Sequence, residues 1–167
     1  MKQILCFGDS NTWGYDGESG ERLPFKVRWT GRLQKAYEGK DVRIIEEGLC
    51  GRTTVFEDPF RQGRRGTALL PTLLETHHPV DLVVLMLGTN DCKTIFGASA
   101  EVIGRGIQCL LDQIQTFAPQ ADVPDLPRCT AHNQKLANIR SVFLQRFVHI
   151  LFPVPSTPSP TVAKSPD

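Results

Sequence analysis

The apolar run Ile4-Leu5-Cys6-Phe7 is uninterrupted and stops at Gly8-Asp9-Ser10. A short apolar run that ends in such a turn predicts a buried strand, with a helix opening directly after it. Two further apolar or β-branched runs, Val42–Glu46 and Leu82–Leu87, also end at glycine-containing turns and predict strands. Between the runs the period lengthens to that of a helix. Trp29, Leu33 and Ala36/Tyr37 share one face, Leu69–Thr76 gives a second helix, and Val102, Ile103, Ile107, Leu110, Leu111 and Ile114 mark the buried stripe of a third. Strands separated by helices predict a doubly wound α/β fold with a parallel sheet, whose ligand site lies at the carboxyl ends of the strands.

The pattern fails after Ala118. The last glycine is Gly106 and the last glutamate Glu101, whereas eight of the twelve prolines lie from Pro119 onward. Prolines between Pro119 and Pro127 forbid the central strand expected there. The chain therefore divides into an incomplete α/β domain over 1–118 and an aberrant tail over 119–167. In the tail, 133–152 has the spacing of a basic amphipathic helix, which suits a partner, a membrane surface or the cover of an incomplete sheet edge. Residues 153–167 form a Pro/Ser-rich end expected to be disordered.

The net charge of +1 gives no reason to propose nucleic acid as a partner. The apolar residues after Met1-Lys2 are too few for a signal core or a membrane span, which predicts a cytoplasmic protein. Five scattered cysteines without Cys-x-x-Cys spacing fit reduced thiols and argue against a zinc site. Cys50 is read as an ordinary small buried residue.

Ser10 is the candidate nucleophile. A strand-to-helix turn lifts its hydroxyl above the sheet and sets its backbone N–H at a helix start, where negative charge is favoured. Two more glycine-containing motifs, Glu47-Gly48-Leu49-Cys50-Gly51-Arg52 and Gly88-Thr89-Asn90-Asp91, fall at the same end of the expected sheet. Asp9 and Asp91 are acidic and sit beside motif residues, but carboxylates at turns usually cap backbone N–H groups. Arg28 and Arg52 could order site loops, and Trp13 could line a pocket.

These stretches resemble the GDSL (SGNH) hydrolases, most closely the small cytosolic arylesterase and acyltransferase branch. The resemblance rests on 4–14, 27–31, 45–54 and 82–91, and covers roughly residues 1–118. It implies a three-layer α/β/α, flavodoxin-like fold whose carboxyl-terminal part is here truncated or replaced. It also implies Ser10 as nucleophile, an oxyanion hole built from the N–H groups of Ser10 and Gly51 and the side chain of Asn90, small-molecule esters as substrates, and no metal or organic cofactor. Asp9, Trp13, Arg52 and Asp91 remain supporting candidates.

The family's Asp-x-x-His block, which supplies a general base and the group that orients it, does not occur in these 167 residues. His77 and His78 close a predicted helix at the opposite end of the sheet, and His132 and His149 lie in the tail. A shift of coding frame near Val123 would explain both the absent block and the compositional break, and the nucleotide sequence tests it. The expectation is a weak or inactive esterase, with an uncovered sheet edge open to self-association. A non-catalytic binding module that retains the pocket is the alternative. A nucleotide-binding domain is disfavoured, because Gly8-Asp9-Ser10 lacks the glycine-rich cradle and lysine of a P-loop.

Overall fold

Side chains alternate across a strand, so a strand that is apolar at every position must be covered on both faces. β1 (Lys2–Gly8) meets this condition at the centre of a parallel sheet, between β2 (Val42–Gly48) and β3 (Leu82–Met86), in the order β2-β1-β3. Its Leu5 and Phe7 enter a core with Leu70, Leu74, Leu110 and Ile114. These come from α3 (Gly66–Thr76) and α4 (Ala100–Phe117). Ile4 and Cys6 enter a second core with Ile44 and Val84, closed by Trp29 and Leu33 of α2 (Trp29–Ala36). Burial, and next to it the charge of Glu46, pushes the Cys6 thiol up to about 12, which makes it an inert packing group. The result is a three-layer α/β fold, seen here in a computed structural model that describes residues 1–119 and 121. The tail helix expected over 133–152, the Pro/Ser-rich end, His132 and His149 lie outside the described residues.

The three expected strands are present and parallel, and their ends fall within two residues of the predicted ones. Two helices run longer than their periodicity predicts. α4 begins at Ala100 behind the cap Ser99, whose hydroxyl accepts from Val102 N–H at 3.3 Å. α3 begins at Gly66 and continues through Pro71, which has no N–H to give to the carbonyl four residues back, that of Thr67. Gln113 of α4 fills the vacancy by donating Nε2 to Thr67 O at 2.8 Å, so the proline becomes a point of attachment between the two helices.

The register sets Gly8 opposite both Gly48 and Met86, which brings the carboxyl ends of the three strands level. Both glycines are required by close approach. A Cβ on Gly8 would collide with the Thr12 side chain, and one on Gly48 with the backbone at Thr12 and Trp13. Their absence of side chains lets the short helix α1 (Ser10–Trp13) settle directly onto the strand ends. Among the described residues, the outer edge of β3 pairs with no other strand.

Candidate functional site

In the order β2-β1-β3 the chain first pairs on one side of β1 and later returns to pair on the other. The helices that follow β1 and β3 pack on opposite faces of the sheet, and in doubly wound folds it is at the carboxyl ends of two such strands that ligands bind. Ser10, Gly51 and Asn90 all stand at that end, on the loops that follow β1, β2 and β3 respectively.

Ser10 is the first residue of α1 and is half-buried. Its hydroxyl makes no hydrogen bond among the described residues. Asp9 is the N-cap of α1; Oδ1 accepts from Asn11 N at 2.9 Å and from Asn11 Nδ2 at 3.0 Å. Burial raises the Asp9 carboxyl above its ordinary range, against the bonds from Asn11 and the nearby Arg52 charge. Gly14 ends α1 in the left-handed conformation at φ 86°, which suits a residue without a side chain.

Gly51 is buried at φ 85°, also in the left-handed region, and its N–H donates to no group among the described residues. Asn90 starts a 3-10 turn (Asn90–Cys92) and donates Nδ2 to Arg52 O at 3.0 Å, leaving the second amide hydrogen available. That bond ties the loop after β3 to the peptide next to Gly51.

Two further residues fix this loop from below. Asp91 is fully buried and accepts from Thr54 N at 2.9 Å through Oδ1, and from the Thr54 hydroxyl. It therefore caps a backbone N–H far along the chain rather than one in its own turn. Arg52 is 4% exposed and bridges strands by donating Nη1 to Gly8 O at 3.0 Å and to Glu47 O, with its guanidinium 4.2 Å over the Phe7 ring. Burial draws its value down to about 10, and it stays cationic at neutral pH. Arg28 pairs with Glu46 at 2.7 Å and donates Nε to Leu23 O at 3.0 Å. Trp13 is packed under Arg22, 5.1 Å from its ring centroid, which ties down the loop after α1.

His77 caps the carboxyl end of α3 and its backbone carbonyl takes a hydrogen bond from Gln3 at the start of β1. The His77 backbone is thus at the end of the sheet opposite Ser10, where the sequence puts it, whereas Glu47, which its ring meets, is the register partner of Phe7 toward the carboxyl end. That ring reaches Glu47 Oε1 at 2.8 Å, a pairing that nothing in the local sequence signals. No group of three or more potential metal ligands occurs among the described residues.

Lys93 and Asp58, which the motif reading does not single out, form a clamp at 3.0 Å between the loop after β3 and the loop after β2. The Lys93 hydrogen bond, then that from Phe60 N–H, holds the Asp58 carboxyl below its ordinary value. A lowered value in the fold stabilises the clamp above the unfolded value of about 4 and is lost as pH falls through the folded one. Acidification is expected to release this loop only below about pH 4, and in Lys93→Ala the release should begin at higher pH. Following the Asp58 carboxyl resonance by NMR titration checks this, and an unchanged midpoint in the variant would refute it.

A family model described as GDSL-like lipase/acylhydrolase matches residues 6–162, beyond the stretch covered by the motifs. Among solved structures, an aryl esterase from M. smegmatis in its inhibitor-bound form is 45% identical with a TM-score of 0.67, over 72% of this chain and 57% of that one. A carbohydrate acetylesterase family member from Sinorhizobium meliloti is 43% identical with a TM-score of 0.66, over 74% of this chain and 56% of its own. The chain thus spans less than two thirds of the length of these proteins. The esterase AlinE4, described as of the SGNH-hydrolase family, is 26% identical with a TM-score of 0.51, over 69% of this chain and 53% of its own. No curated protein matches the chain.

Proposed function

The chain belongs to the GDSL-like lipase/acylhydrolase family, and from that premise we propose that it is a serine ester hydrolase acting on small acyl esters, with acyl transfer to an alcohol as a second outcome. The observation that carries this reading is that unused donors and an unbonded hydroxyl lie on the three loops at the carboxyl end of one sheet. The Ser10 hydroxyl, the Gly51 N–H and one Asn90 amide hydrogen stand at one end of the sheet without partners among the described residues. A tetrahedral intermediate gathers negative charge on one oxygen, and each preorganised donor aimed there is worth about 3–4 kcal/mol. Ser10 Oγ attacks the carbonyl carbon, the carbonyl π electrons move to oxygen, and the N–H groups of Ser10 and Gly51 with Asn90 Nδ2 hold the charge. Collapse expels the alcohol and leaves an acyl-serine, which water or a second alcohol then releases.

The hydroxyl proton needs an acceptor. His77 and His78 precede β3, the His77 ring is already paired with Glu47, and the 167 residues contain no Asp-x-x-His. Attack by Ser10 in this chain is therefore slow. A fluorophosphonate probe is expected to label the chain slowly, faster as pH rises, and not at all in Ser10→Ala. Intact-mass measurement over a pH series reads this. Labelling that survives Ser10→Ala would remove Ser10 from the role, and rapid labelling at neutral pH would mean that a base is present.

A further inference from the structure

Three guanidinium groups stand near Gly51, and of these Arg52 alone is buried in the fold, bonded through Nη1 to Gly8 O and Glu47 O while its buried Nε has no partner among the described residues. Arg64 donates Nε to Cys50 O at 3.0 Å and Nη1 to Gln62 O at 2.8 Å, which leaves Nη2 without a partner among the described residues. The Arg61 side chain is exposed and makes no hydrogen bond or ion pair among them. Both lie close to the oxyanion loop. A methyl group built on Gly51 would meet Arg61 Nη1 at 3.4 Å and Arg64 Cδ and Nε at 3.7 Å.

The neighbouring carboxylates are committed elsewhere. Glu47 pairs with His77, Asp58 with Lys93, Asp9 accepts from Asn11, and Glu57 accepts from the Arg64 backbone N–H at 3.0 Å. The loop carrying the two arginines is also fastened. Thr53 N donates to Arg64 O at 2.9 Å, Gly66 N to Thr53 O at 3.0 Å and Arg61 N to Asp58 O at 3.2 Å, while Phe56 stacks on Phe96 at 4.9 Å. Arg61 and Arg64 thus stand beside Gly51 with no carboxylate paired to either guanidinium among the described residues.

We infer that the site at Gly51 selects esters that carry a carboxylate close to the reacting carbonyl, with Arg61 and Arg64 as the residues that determine this preference. Guanidinium groups match carboxylates in geometry as well as charge. The inference rests on the reading that the Gly51 N–H faces the ester oxygen. The carboxylate can stand on the acyl side, as in a half-ester of a dicarboxylic acid, or on the leaving group, as in an O-acyl hydroxy acid.

The test reads binding, so it does not depend on turnover. The full-length, ¹⁵N-labelled chain is titrated with monomethyl succinate, with O-acetylglycolate and with neutral methyl butyrate, following the Gly51 amide. At least one anion is expected to bind roughly three- to tenfold tighter than the neutral ester, an advantage that shrinks at high salt. The tighter of the two anions identifies the side. R61A/R64A should bring the anion and the neutral ester to near-equal affinity. Arg61→Ala alone, at an exposed side chain with no bond in the fold, should remove part of the advantage should the double variant not fold. Arg43→Ala, which removes the same charge from the exposed surface near the start of β2, should keep it. Equal binding of all three ligands to the unaltered chain, or an advantage that persists in R61A/R64A, would overturn the inference. Because Ser10→Ala should keep the preference, failure of the hydrolase reading and failure of this one are separable.

Discussion

A chimera in which an intact carboxyl-terminal segment of a GDSL-family esterase follows Ala121 is expected to label at Ser10 roughly 10²–10⁴-fold faster than the chain itself, the range that a positioned general base contributes. The junction is set by packing. Ala118 and Ala121 close the core against α3 and β3 and are buried, so the graft starts where the described fold ends. The segment would bring a family strand to the edge of β3 that is unpaired among the described residues, and an Asp-x-x-His to take the Ser10 proton. Labelling and ester turnover should rise together, and both should vanish when Ser10→Ala is made in the chimera. The donors at Gly51 and Asn90 need no change, because they are fixed by residues before Ala118. A chimera that folds cooperatively by circular dichroism and gains neither activity would confine the family resemblance to the fold.

Asp91→Ala is expected to cost about 3 kcal/mol, because it strands a buried backbone N–H and a buried hydroxyl of Thr54 at once. For a domain of this size that corresponds to a Tm lower by about 10 °C. Asp91→Asn keeps one acceptor oxygen and should lose about half as much. Thermal unfolding of the three proteins checks the order. Equal stability of Asp91→Ala and the parent would mean that the Thr54 contacts carry no net energy, and that the loop after β3 is held mainly by the Asn90–Arg52 and Lys93–Asp58 contacts.

The parts of the fold governed by local periodicity were legible in the sequence. The strands announce themselves by apolar runs that end at glycine, and α4 by a stripe that repeats with the helical period. The first three residues of α3, 66–68, carry no apolar period and were not legible, and the bond from Gln113, more than forty residues beyond Pro71, that meets the carbonyl left free by the proline has no local signal. The same limit applies at the site. Ser10, Gly51 and Asn90 stood out as motif residues, and the fold places them at one end of one sheet. Asp91 sits in its motif as expected, but its partner Thr54 is on another loop. Arg61, Arg64 and the Asp58–Lys93 clamp had no signal beyond a basic stretch, Arg61-Gln62-Gly63-Arg64-Arg65, which reads equally well as solvated surface. Contacts between loops are tertiary products and leave no period to find.

The position of β1 between β2 and β3 also bears on how the chain is made. β1 leaves the ribosome ahead of both neighbours, and the strand that covers its second edge begins only at Leu82. At about 5–20 residues per second, synthesis of that interval takes roughly 4–16 s. Until β2 emerges the apolar segment has two open edges, and until β3 emerges it keeps one, which makes it a natural client for a chaperone that grips extended hydrophobic chain.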